Sequence, residues 1–303
     1  MKSVSSRLAR CRPLLGTFVE ITAAGQDADV VEKSIEAAFE AVRRVHHLMS
    51  FHDPDSDVSR LNRARPGEAI VVDAWTRDVL EISTELERTS KGSFNIGVAP
   101  ALQRLGLLPC SQEPPPALAM PAATAAIELL ADKRVCKREP ECRVDLGGIA
   151  KGYAVDRAVE ALHGYGIQGG VVNAGGDLAA FGDEDQVVAI RDPRDPARSL
   201  CRVAIKDAAL ASSGPTFDPL DWSAPRRCAI LHPRTGASVR GVCGASVRAS
   251  SCLIADALTK VVMIQGVAAL DVLEHYKASA LLVMASGEVA VTGAWRGAYA
   301  VAT

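Results

Sequence analysis

Three strand-like runs follow one another with loops and turns alone between them: residues 170–176 (GVVNAGG), 187–193 (VVAIRDP) and 201–206 (CRVAIK). A chain in which strand succeeds strand, with its helices placed elsewhere, is not a regular βαβ winding, and the pattern favours an α+β fold. The helical patterns lie on either side of this block. Residues 27–50 put Val31, Ile35, Phe39, Val42, Val45 and Met49 at helical spacing, with Asp27 or Asp29 available to cap the start. Residues 73–91, 149–165 and 251–265 read as further helices, and 123–131 as a short one. Strands are expected at 17–21, near 134–145, at 228–231, and as a pair joined by a Ser-Gly turn across 278–293. Residues 51–67 read as a loop holding one helical turn at 56–62. Residues 110–122, rich in Pro and Ala, read as a surface connection, and 212–222 as a loop.

Composition narrows the function classes. The chain has 303 residues, 48% of them hydrophobic, enough for a large core and too apolar for a disordered state. Thirty-four Lys and Arg stand against 36 Asp and Glu, a net charge of −2, and aromatic residues are 4%. That balance argues against a nucleic-acid binder, which needs a basic surface or stacking platforms. The opening segment carries basic residues without an apolar run of signal length, and no stretch reads as an apolar membrane span. None of the eight cysteines forms a C-x-x-C pair, so they read as free thiols, and a cytoplasmic location is expected.

Three segments carry chemistry. Residues 145–156 (DLGGIAKGYAVD) are a strand end, a glycine turn and a helix with Lys151 in its first turn. Bare glycines admit a ligand close to the backbone, and a helix start presents free N–H groups to anions, so this suits a phosphate or diphosphate. Tight helix–strand packing with a surface lysine explains the same residues. Residues 171–178 (VVNAGGDL) put Gly175 and Gly176 between apolar residues and Asp177. Either a turn between strands or close approach to a flat or phosphorylated ligand fits them. On the helix beginning near Ser251, Asp256 and Lys260 are four residues apart and share a face, as an ordinary ion pair or as a metal ligand whose neighbour has become a cation.

Taken together and in order, these segments resemble the ApbE family of FAD:protein FMN transferases, and the resemblance covers nearly the whole chain. Leu14-Leu15-Gly16-Thr17 is similar to the family's opening Met-Gly-Thr. Residues 49–62 (MSFHDPDSDVSRLN) are similar to its first loop, and Gly92-Ser93-Phe94-Asn95 to its Gly-Ala-Phe-Asp. Residues 145–156, Gly175-Gly176-Asp177, Ser213-Gly214, Pro233-Arg234-Thr235-Gly236 and Ala255-Asp256-Ala257 complete the set. The resemblance implies one α+β, T-fold-like unit with mixed sheets and packed helices over residues 1–303. It implies FAD as substrate, Mg2+ as metal, and transfer of FMN to a Thr or Ser hydroxyl of another protein with release of AMP. No acceptor motif of the family is found in this chain. It implies FAD contacts at Leu15, His52, Ser93, Phe94, Asn95, Lys151, Gly175, Gly176, Ile230 and Leu231, with Asp145 buttressing the site. It implies a metal held by Gly148, Asp256 and Thr259, and catalytic roles for Asp256, Lys260 and His232.

Four positions depart from the family pattern. Lys260 stands where a threonine oxygen would meet the metal, and we expect its ammonium to replace the metal in part as a point charge. Ala229 stands where the family has a histidine, while His232 occupies the place of an aspartate. Pro215 and Asn95 each replace an aspartate. The ligand-cradling glycines remain and the reactive groups change. Two alternatives to transfer therefore stay open: a non-catalytic FAD-binding carrier or assembly factor, and an FAD diphosphatase giving FMN and AMP.

Overall fold

The structure, a computed structural model, describes residues 6–110, 126–214, 228–292, 295 and 299–301. Eight strands form one sheet in the order β1 (Ser6–Leu14), β2 (Thr17–Gly25), β6 (Gly169–Ala174), β7 (Asp177–Phe181), β10 (Ala208–Ser213), β11 (Val242–Ala249), β12 (Ser279–Met284) and β13 (Val289–Val291). Every adjacent pair is antiparallel, so the sheet is not mixed. A second sheet has the order β14 (Tyr299–Val301), β9 (Asp195–Ile205), β8 (Gln186–Asp192). A third has β3 (Ile70–Val71), β5 (Arg134–Lys137), β4 (Ile127–Leu129).

Strand alternation decides how the layers stack. Ala209 and Ala211 of β10, and Ala280 and Leu282 of β12, face the main core, which they share with the helices. Leu210, Leu281 and Val283 face the other way and pack on Ile190, Val203 and Ile205 of the second sheet. The large sheet is thus covered on both faces, by helices on one and by β8 and β9 on the other.

The helical layer consists of α1 (Ala28–Met49), α5 (Ala150–Gly164) and α6 (Cys252–Gln265). Helix α1 starts as expected: Asp27 accepts from the Asp29 and Val30 N–H groups, and Val31, Ile35, Phe39, Val42, Val45 and Met49 are buried. Around this layer lie α2 (Asp57–Arg63), α3 (Ala74–Thr89), α4 (Ala99–Arg104) and α7 (Leu270–His275). Helix α6 runs through a short 3-10 turn into α7. The whole run, Cys252–His275, is long and apolar enough by length and composition to cross a membrane, contrary to the sequence reading. Yet 56% of its most apolar window is buried in the protein, where α6 backs the sheet.

Four sequence expectations change. Residues 127–129 are strand rather than helix, because they pair with β5; residues 123–125 and most of the 110–122 connection lie outside the described residues. The extended segment at 134–145 is strand only as far as Lys137. Residues 228–231 make one isolated bridge, Leu231 to Ser238. Ser212 and Ser213, read as loop, end β10. The rest of that loop to residue 222, with Pro215, is outside the described residues.

Candidate active site

A cleft of about 580 Å³ opens where the C-terminal end of α1, the β1–β2 turn, the start of α5 and several loops converge. That volume is in the usual range for a small-molecule site. The motif-bearing loops are held by their own polar residues. Ser56 caps α2 and donates to the Ser50 carbonyl at 2.6 Å, while Ser50 Oγ accepts from the His52 and Asp53 N–H groups. This folds residues 50–56 so that Phe51 and His52 line the cleft. Asn62 of α2 clamps Val144 at both backbone groups, at 2.9 and 2.7 Å, and so fixes the approach to Asp145. Ser90 Oγ accepts from Phe94 N–H, and Gln265 donates to Ser93 Oγ at 2.7 Å, which ties the Ser93–Asn95 loop to the end of α6.

One part of the wall is apolar, formed by Phe94, Val98, Leu102, Leu108, Ile230 and Leu231. Another part carries charge. Lys151 contacts Asp177, which is 2% exposed, and lies 3.8 Å from Asp256. Lys260 contacts the Asp256 carboxylate and donates to the Asp256 carbonyl at 3.0 Å. Both lysines line the cleft, and each is anchored to a buried carboxylate beneath it. Burial disfavours the Asp256 carboxylate, but Lys151 and Lys260 outweigh it and hold its pKa below the ordinary value. Burial likewise opposes the Lys151 charge, and Asp256 and Asp177 overcome it and push that pKa up. Both carboxylates thus favour the charged form of Lys151. Asp145 behaves otherwise: burial raises its carboxyl, against the Gly147 N–H and the Lys260 charge.

Of the residues expected at the site, Leu15, His52, Ser93, Phe94, Asn95, Asp145, Gly148, Lys151, Ile230, Leu231 and Lys260 all line this cleft. Asp256 and Thr259 are fully buried just behind it. The Thr259 hydroxyl donates to the Asp256 carbonyl at 2.6 Å and lies 2.7 Å from Ser213 Oγ, so it is engaged with β10.

Three residues are elsewhere. Gly175 and Gly176 form the β6–β7 turn, both with positive φ, and do not line the cleft. A Cβ on Gly175 would stand 2.5 Å from Thr17 Oγ1, so this glycine admits the start of β2. His232 lines a small neighbouring depression with Lys91, Ser93 and Asn95, and its Nδ1 accepts from the Arg234 N–H.

Sequence reasoning missed Asp177 as the anchor of Lys151, although it had marked the residue. It also missed His46, Val98, Leu102, Leu107 and Leu108 as lining residues. Helix α4, which carries Leu102, has no side-chain cap, and Pro100 in its first turn is the one signal that could have announced it.

The family model for the ApbE family matches residues 15–283. The chain belongs to the ApbE family. A protein of Vibrio cholerae named FAD:protein FMN transferase is 28% identical over 271 residues, spanning 84% of this chain and 80% of that protein. A protein of the same name from Rhodobacter capsulatus is 27% identical over 267 residues, 84% of this chain but half of its own length. Among solved structures, the ApbE protein of Thermotoga maritima superposes with a TM-score of 0.86 at 26% identity, covering 96% of this chain and 98% of that one. The apo flavinyl transferase ApbE of Pseudomonas stutzeri gives 0.81 at 22% identity, covering 99% and 98%, a likeness of fold.

Proposed function

We propose that this protein transfers FMN from FAD to a Thr or Ser hydroxyl of a partner protein and releases AMP. The observation that carries the reading is the cleft itself: an apolar wall beside two anchored ammonium groups, in a chain of the ApbE family. The apolar residues suit a planar ring system, and Lys151 and Lys260 suit a diphosphate. In the reaction the acceptor oxygen forms a bond to the FMN phosphorus. The bond from that phosphorus to the bridging oxygen breaks, and its electron pair leaves with AMP. The hydroxyl proton passes to a base. Among the described residues, His46, His52 and Asp145 are the cleft-lining groups able to take a proton.

The ApbE family implies magnesium, and the residues here do not fit it. Among the described residues no three His, Cys, Asp or Glu side chains form a cluster able to hold a metal. Asp256 is engaged by Lys260 at one oxygen and by the Gly152 N–H, 3.0 Å away, at the other. Thr259 is turned to Ser213. A divalent ion about 4 Å from an ammonium is repelled by roughly 8 kcal/mol at an effective dielectric constant near 20. No step is therefore routed through a metal.

Ala229 lines the cleft where the family has a histidine, which favours FAD binding without transfer as the second reading. The products separate the readings. With FAD and a flavoprotein fragment carrying an acceptor threonine, transfer adds FMN to the fragment, seen by intact mass, and yields equimolar AMP. AMP without labelling means hydrolysis, and bound FAD with neither product means a binding protein.

A further inference from the structure

The cation site of this cleft is filled by the protein's own side chain. Lys260 reaches Asp256 twice, at its carboxylate and at its carbonyl oxygen, and its carbon stem lies along Gly148. A Cβ on Gly148 would stand 3.4 Å from Lys260 Cε, at ordinary van der Waals distance, so the stem runs beside the turn. These oxygens, with the Gly148 turn, form the hard-oxygen corner of the cleft, and the ammonium sits in it. The Lys260 side chain is 17% exposed and the Asp256 side chain not at all. The pair is therefore largely withdrawn from bulk solvent. An ammonium has three N–H donors. Asp256 takes two of them among the described contacts, and the third is available to a phosphate oxygen in the cleft.

We infer that Lys260 is the resident cation of the site, and that it holds the substrate diphosphate without a divalent metal. This rests on the reading that the cleft binds FAD. Lys151, tied to Asp177, supplies the second positive charge from the other helix. The ammonium acts as a hydrogen-bond donor and point charge, not as a Lewis acid.

The test measures metal and FAD separately on the full chain. Mn2+ is titrated into the protein without nucleotide and followed by electron paramagnetic resonance. FAD binding is followed by fluorescence quenching in EDTA and in Mg2+. The wild type should show no stoichiometric Mn2+ site, and its FAD affinity should agree within about twofold between the two conditions. Lys260→Thr, checked for folding by circular dichroism, should gain one Mn2+ site. Lys260→Met should weaken FAD about tenfold with no rescue by Mg2+. One Mn2+ bound by the wild type, a more than tenfold loss of FAD affinity in EDTA, or a folded Lys260→Thr protein that takes up no Mn2+ would each overturn the inference. Failure of FAD to bind under every condition instead removes the underlying reading, and the Mn2+ titration still decides the state of the cation site.

Discussion

Lys151 shows how much a single residue hides from its sequence. Its place in the first turn of a helix was legible, and both a phosphate-binding and a packing role fitted. Its partner was not, because Asp177 lies 26 residues away across a hairpin turn and meets it only in the fold. The same turn gives the glycines a structural role: Gly175 and Gly176 bend β6 into β7 and so deliver Asp177. Removing one partner of a buried ion pair leaves an uncompensated charge. Asp177→Ala should therefore cost about 3 kcal/mol, seen as a lower urea midpoint, and an unchanged midpoint would contradict the anchoring role. His232 carries the opposite lesson. Its motif position suggested the site, but it lines the adjacent depression. His232→Gln should keep the transfer rate within about threefold, whereas loss of a proton-transfer group costs about a hundredfold or more. A loss of that size in a rate assay would place His232 in the reaction.

At the scale of elements, α5 and α6 cap one another. Asp256 of α6 accepts from the Gly152 N–H in the first turn of α5, where Ile149 supplies no side-chain cap. Asp156 of α5 accepts from the Cys252 and Leu253 N–H groups at the start of α6. Gly152 makes this approach possible, since a Cβ there would stand 2.3 Å from the Cys252 carbonyl and 2.8 Å from Asp256 Cβ. Gly152→Ala should push the helices apart, lowering stability by about 3 kcal/mol and weakening FAD binding through Asp256. Normal unfolding and binding curves would refute that.

Burial raises the Asp156 carboxyl from 3.8 to about 6, against the pull of the two N–H groups. The native state then holds the proton more tightly than the unfolded chain, so stability falls as pH rises from about 4 to 6. Asp156→Asn lacks that slope. Relative to wild type it should gain about 2 kcal/mol between pH 4.5 and 7 in chemical unfolding, and parallel curves would contradict the assignment. Helices α1 and α6 were readable because period and cap agree. Strands β10 and β11 were not, because Ala and Ser make up most of β10 and Ala, Ser and Gly half of β11. Their state comes from pairing, as β10 lies between β7 and β11, and β11 between β10 and β12.

Over the whole molecule, the large antiparallel sheet is the frame and the cleft is assembled at its helical side from loops that each carry a motif. The α+β class was legible from strands succeeding strands. The motif order was legible as an ApbE resemblance, which the family match establishes. The departures at Lys260 and Ala229 were visible as letters, but their meaning needed the geometry: one fills the cation corner, the other leaves a methyl group in the cleft. The account rests on two anchored lysines recognising a diphosphate beside an apolar wall. Its most direct test compares FAD with riboflavin, which has the ring but no phosphate, by fluorescence titration in EDTA. FAD should bind at least tenfold more tightly than riboflavin. Equal affinities, or no binding of FAD, would contradict the account.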